Sequence, residues 1–146
     1  MTGRVFTLDQ PVRFEDVDAA GIMYYPRTVA MLARVVEEWF AGPLGCDYNE
    51  LHLERRLGIP TATLEIAFRA PGRLGQVLTW ALVVTELRSS AFLLRYEVTA
   101  PDGTLHLEAR QRLVCASLDG IAKVAIPPDI RARMADYLEG PETVIV

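Results

Sequence analysis

Between Pro26 and Ala41 the apolar residues Val29, Leu32, Ala33, Val36, Trp39 and Phe40 recur at three- and four-residue steps, and Ala30, Met31 and Val35 occupy the other side. This spacing predicts a helix that opens at Pro26, a residue suited to a first helical turn, and stops at Gly42-Pro43. Only Arg27, Arg34, Glu37 and Glu38 remain as clear solvent candidates, so most of its circumference is expected to be covered. A helix that apolar requires a sheet wrapped around it.

The remaining chain supplies one. Val5 to Phe14 reads as a strand whose Pro11 belongs at an edge, a bulge or a strand start, and a loop runs from Glu15 to Tyr25. Asp47 and Glu50 have capping-box spacing, predicting a short helix through Arg56 that ends at Gly58-Ile59-Pro60. Leu64, Ile66 and Phe68 alternate with Glu65, Ala67 and Arg69, the period of a half-buried strand. Two further runs, Gln76 to Leu87 and Ala91 to Thr99, are joined at Arg88-Ser89-Ser90. After Pro101-Asp102-Gly103, Leu105, Leu107, Ala109, Gln111 and Leu113 alternate with His106, Glu108, Arg110 and Arg112. These four runs are expected to form an antiparallel meander. Pro127-Pro128-Asp129 opens a terminal helix over about 128–139 that carries Ile130, Met134, Tyr137 and Leu138, followed by a tail over 140–146. At 146 residues and 51% hydrophobic, the chain suits one domain over 1–146. Its class is α+β, an antiparallel sheet of about five strands around one long central helix.

Charge narrows the partners. A net charge of -4 with a pI near 5.2 argues against a nucleic-acid partner, although a few arginines at one pocket mouth could still bind phosphates. The amino terminus lacks the apolar core of a secretory signal and no run has the length of a membrane span, so a cytoplasmic protein without a membrane partner is expected. Cys46 and Cys115 form no C-x-x-C pair and read as buried free thiols; with two histidines besides, metal ligands are few.

The chemistry lies between the first strand and the long helix, in Val12-Arg13-Phe14-Glu15-Asp16-Val17-Asp18-Ala19-Ala20-Gly21-Ile22-Met23-Tyr24-Tyr25-Pro26. By composition alone an acidic cluster before a helix is a solvated loop or cap. The whole run, however, resembles the signature of the 4-hydroxybenzoyl-CoA thioesterase family in its Pseudomonas-type and tol-pal-associated branches. There a strand ends in D-x-D-[AP]-[AG]-G followed by aromatics. Ala70-Pro71-Gly72-Arg73-Leu74-Gly75-Gln76-Val77-Leu78 resembles that family's next strand start, A-P-x-R-L-G-D-x-L, and Glu86 to Phe92 resembles the following hairpin, so the likeness runs from about Val12 to Ile126.

The resemblance implies a hotdog fold, thioester hydrolysis and a homo-oligomer, a dimer built on a continuous sheet and often paired into a tetramer, with the site between subunits. No cofactor is implied beyond the coenzyme A that the substrate carries. The family's catalytic aspartate falls on Asp18, and its carbonyl-polarising amide on the Tyr25 backbone N–H. A carboxylate can attack a thioester or activate water, and a helix N-terminus can stabilise the oxyanion. Gly21 permits a positive φ in the intervening turn. Asp16 keeps a structural reading as a hydrogen-bond support for the loop.

For the acyl group, Tyr24, Tyr25, Pro26 and Thr28 are the substrate-side candidates; Tyr25, where the short-chain branch often carries His, tilts the expectation towards an aromatic acyl-CoA such as benzoyl-CoA or 4-hydroxybenzoyl-CoA. A short- or medium-chain acyl group and a noncatalytic acyl-CoA-binding module are the alternatives. Arg88 falls where related enzymes meet the nucleotide phosphates, with Ser89 and Ser90 as hydroxyl donors, and Arg69 and Arg73 are further candidates. Glu37, Glu38, His52 and His106 read as surface residues.

Overall fold

The computed structural model describes residues 3–140 and 145. In chain order the elements are β1 (Phe6–Pro11), α1 (Tyr25–Ala41), β2 (Leu57–Gly58), β3 (Thr61–Phe68), β4 (Val77–Leu87), β5 (Ala91–Thr99), β6 (Leu105–Val114), β7 (Ala116–Ser117), β8 (Ala122–Lys123) and α2 (Pro128–Ala135). A five-stranded antiparallel sheet in the order β1-β4-β5-β6-β3 wraps α1, the expected hotdog arrangement. Pro11 ends β1 on an outer edge, where its missing N–H forfeits no ladder bond.

The meander is shorter than expected. Only β4, β5 and β6 follow one another; β3 crosses over to pair with β6 and forms the second edge. Alternation cannot reveal this, because it records which face is buried and not which neighbour supplies the hydrogen bonds. A small sheet, β2-β7-β8, had no legible signal at two residues per strand.

The core lies between α1 and the inner sheet face, around Trp39, Phe40, Trp80, Phe92 and Tyr96. Trp39 meets Phe40 and Tyr137 edge-on, with ring centroids at 5.8 and 5.7 Å. Met31 and Val35 are buried, as the helix reading required, but Ala30 and Ala33 are exposed with Arg34, Glu37 and Glu38. The sheet therefore covers about half the helix. The buried thiols Cys46 and Cys115 are free, and burial raises the first to about 11 and raises the second.

Other departures are local. The expected short helix is present but shorter and wider, one turn of π-helix over Asn49–Glu54 in which the Arg55 N–H donates to Glu50 O; Asp47 Oδ1 accepts the Glu50 N–H at 2.8 Å, as capping spacing implies. The terminal helix ends at Ala135, short of residue 139, because the chain beyond it extends the sheet. There the Val84 N–H donates to Tyr137 O and the Glu139 N–H to Val84 O, past the point where β1 stops. The expected tail falls outside the described residues except at 140 and 145. Among the described residues no helix is long and apolar enough to cross a membrane.

Candidate active site

Beyond Pro11 the chain makes one 3-10 turn, Phe14–Asp16, and then a small hairpin that leads into α1. Val17 pairs with Met23, the Asp18 N–H donates to Ile22 O, and the Tyr24 N–H donates to Asp16 O. Asp18-Ala19-Ala20-Gly21 is its tip, closed by the Gly21 N–H on Asp18 O at 3.0 Å. Gly21 has φ +77 with open space around a Cβ, so backbone conformation and not crowding requires glycine there.

The two aspartates have separate surroundings. Asp16 is 4% exposed; Oδ2 accepts the Arg13 N–H at 2.9 Å and Oδ1 faces Arg27 Nη2 at 3.4 Å. It braces the loop from inside. Asp18 is exposed, its Oδ1 held by the N–H of Ala20 at 2.8 Å and of Ile22 at 3.5 Å. Among the described residues Oδ2 has no hydrogen-bond partner, so the turn orients the carboxylate and leaves one oxygen facing outward. Asp18 stands two rungs along the ladder from Tyr24, the residue that caps α1, a strand distance of about 7 Å. Tyr25 is the first helical residue and Pro26 the second, so the unsatisfied N–H groups of the first turn lie at this end.

The second arm of the hairpin, Ile22 and Met23, forms one wall of a cleft of about 310 Å³. Thr28 of α1, fully buried, closes its floor with Leu78, and Phe68, Ala70, Pro71, Gly72 and Leu107 complete the largely apolar lining. Gly72 meets Met23 so closely that an added Cβ would collide with the Met23 sulfur and sit 3.3 Å from Leu78. A larger groove of about 410 Å³ runs along the outer side of β1, but Asp9, Glu15, Asp16, Arg13, Arg27, Arg34 and Glu38 line it. Of the two, the cleft is the more apolar.

Two expectations are corrected here. Phe68, read as core, is 56% exposed at the cleft mouth, because β3 is an edge strand whose last residues have nothing packed over them. His106, read as a surface residue, is 5% exposed and lines the cleft. The cause is a β-bulge: Thr99 pairs with Leu105 and Val98 with Leu107, so His106 is the extra residue and the strict alternation breaks at it. No residue type marks the bulge in the sequence. Its backbone O accepts the N–H groups of Arg69 and Ala70, at 2.9 and 3.1 Å. His52 is half-buried, its Nδ1 3.0 Å from Tyr48 O.

Not all candidate residues converge. Tyr24 and Tyr25 are 40% and 71% exposed and their rings do not line the cleft. Arg69 lies at the cleft, paired with Glu108 at 2.8 Å, and Arg73 stands in the bridge beside Ile22. Arg88, Ser89 and Ser90 form the hairpin between β4 and β5, at the far end of the sheet. The eleven-residue β4, about 35 Å of strand, runs between that hairpin and the cleft. The two lie at opposite ends of the sheet.

Comparison with known proteins locates this arrangement. Residues 12–134 match the Thioesterase-like superfamily. A 1,4-dihydroxy-2-naphthoyl-CoA hydrolase of Nostoc punctiforme is 25% identical over 86% of this chain and 83% of its own. The acyl-CoA thioesterase YbgC of Haemophilus influenzae is 27% identical, over 87% of this chain and 92% of its own. The crystal structure of 4-hydroxybenzoyl-CoA thioesterase from Pseudomonas sp. strain CBS-3, 28% identical, superposes with a TM-score of 0.80, covering 89% of this chain and 99% of that one.

Proposed function

The chain belongs to the thioesterase-like superfamily, and from that premise we propose that it hydrolyses an aromatic acyl-CoA thioester to the free acid and coenzyme A. The observation that carries this reading is the hairpin from Val17 to Met23, which presents the Asp18 carboxylate beside the opening turn of α1 and the apolar cleft. With the thioester carbonyl against the first turn, the Tyr25 N–H and the positive helix end polarise its oxygen. The outward oxygen of Asp18 then attacks the carbonyl carbon or takes a proton from the attacking water. The C–S bond breaks, coenzyme A leaves as the thiol, and water supplies the oxygen of the acid. Gly21 shapes the turn that holds Asp18, while Thr28 on α1 bounds the acyl end; Pro26 is exposed and stands outside the cleft.

The enzyme works as a homo-oligomer, a dimer or tetramer. Both edge strands are open, and Tyr24 and Tyr25 stand at the surface. The hairpin Arg88-Ser89-Ser90 of one protomer meets the CoA phosphates beside the Asp18 turn of another, with Arg69 next to the cleft. The relatives acting on naphthoyl-CoA and hydroxybenzoyl-CoA support an aromatic acyl group.

The test is a thiol-release assay with benzoyl-, 4-hydroxybenzoyl-, phenylacetyl- and short-chain CoA esters, beside Asp18→Asn. The expected result is fastest turnover of an aromatic ester and a fall of about 10²–10⁴-fold in the variant. Faster turnover of short-chain esters would move the acyl assignment. Binding of CoA esters without turnover above the variant's background would make the protein a noncatalytic acyl-CoA binder.

A further inference from the structure

Resting on the thioesterase reading, we propose that His106 selects the acyl group, its Nε2 accepting a hydrogen bond from an O–H or N–H carried by the acyl part of the substrate. The bulge turns His106 inward, into a cleft walled by Met23, Phe68, Leu78 and Leu107, whose other polar side chains are engaged elsewhere, Thr28 on Tyr24 O and Arg69 on Glu108. Its Nδ1 lies 3.1 Å from Ala70 O. A carbonyl oxygen only accepts, so in the neutral ring the proton sits on Nδ1 and Nε2 presents a lone pair.

That Nε2 is buried and has no hydrogen-bond partner among the described residues. A buried acceptor without a donor is unfavourable, and a ligand that brings the donor removes the penalty. The ring is also held in place. Its backbone clamps Arg69 and Ala70, and its side chain returns to Ala70, so the segment from β3 to Gly72 and the imidazole form one unit. The lone pair is thus pre-oriented, and an acyl group that offers only C–H at this point leaves it unpaired. Discrimination should therefore favour hydroxylated or N–H-bearing acyl groups over their hydrogen-substituted counterparts.

The experiment compares kcat/KM for matched ester pairs in the wild type and in His106→Val, which keeps a strand-compatible side chain without an acceptor. The pairs are 2-, 3- and 4-hydroxybenzoyl-CoA against benzoyl-CoA, and 3-hydroxybutyryl-CoA against butyryl-CoA. In the wild type at least one hydroxylated ester is preferred by about ten- to a hundredfold, and in His106→Val that ratio collapses towards one. A purely structural role would lower both members of a pair together and preserve the ratio, overturning the proposal; so would the lack of any preference in the wild type.

A second measurement is independent of turnover and of the variant's folding. Imidazole ¹⁵N spectra of Asp18→Asn are recorded, pair by pair, with a hydroxylated ester and with its unsubstituted partner. The His106 Nε2 resonance should move from the lone-pair range towards the hydrogen-bonded range with the first alone; equal response to both overturns the proposal. If no ester is hydrolysed, the thioesterase reading fails while this spectrum still decides His106.

Discussion

At the residue scale, Asp16 and Asp18 show how position within one short loop separates a buried support from a carboxylate left open. Asp16 spends both oxygens inside the protein, on the Arg13 N–H and on Arg27, while its carbonyl takes the Tyr24 N–H that caps α1. Asp18 uses one oxygen to hold its own turn and keeps the other outward. Removing the buried carboxylate leaves Arg27 without its closest acid and the Arg13 N–H without an acceptor. Asp16→Ala is therefore expected to lower unfolding free energy by about 2 kcal/mol in urea titration, while Asp18→Asn changes it by under about 0.5 kcal/mol. Equal stability losses in the two variants would contradict this division of roles.

At the scale of elements, long-range pins hold the pieces that propensity alone would leave loose. Arg55 follows the wide turn and reaches Asp129 in the first turn of α2 through two hydrogen bonds, Nη1 to Oδ1 at 3.0 Å and Nη2 to Oδ2 at 2.7 Å, with Nε on Glu50. This guanidinium holds Asp129 down to about 2, and the same contact pushes Arg55 up. A carboxylate whose folded pKa is depressed adds stability above its unfolded value, near 3.9, and loses it as pH falls towards the folded one. The Asp129 side chain is 56% exposed, so solvent screening limits the contribution to about 0.5–1 kcal/mol. Thermal melts of the wild type and Asp129→Asn should differ by that amount from pH 5 upward and converge as pH falls from about 4 to about 2. A gap that persists unchanged at the low end would show that the pair contributes through packing instead.

The same scale explains where the local reading held. The long helix, its Pro26 start, its Gly42 stop and the bounds of β5 and β6 rest on periodicity and breakers within each segment, and these survived folding nearly residue for residue. The bulge at His106, the early end of α2 and the crossover of β3 depend on partners far along the chain. A local pattern holds no record of them.

For the whole molecule, the distance between the Asp18 turn and the Arg88 hairpin is the central geometric fact. About 35 Å of strand lies between them, and under the proposed function the hairpin serves the Asp18 site of another copy. A mixture of Asp18→Asn and Arg88→Glu protomers, unfolded and refolded together, should then recover activity that neither parent has. Some mixed oligomers would contain one site with both residues intact. Sedimentation velocity of the wild type should give a dimer or tetramer, and a mixture that stays inactive would return the CoA-binding role to residues beside the cleft, Arg69 and Arg73.

By itself the sequence determined the architecture and singled out Asp18 as the candidate carboxylate. A helix with a broad apolar face must be wrapped, alternating runs must build the wrapping sheet, and an acid before a small-small-Gly turn at a helix start is set by bonds a few residues apart. Only the tertiary structure decided which side chains enclose the apolar cleft. His106 faces inward through a pairing offset between β5 and β6, Phe68 lies bare because its strand is an edge, and the Arg88 hairpin is remote because β4 is long. Each depends on contacts between segments distant in the chain, whose geometry exists only once the sheet has closed around α1.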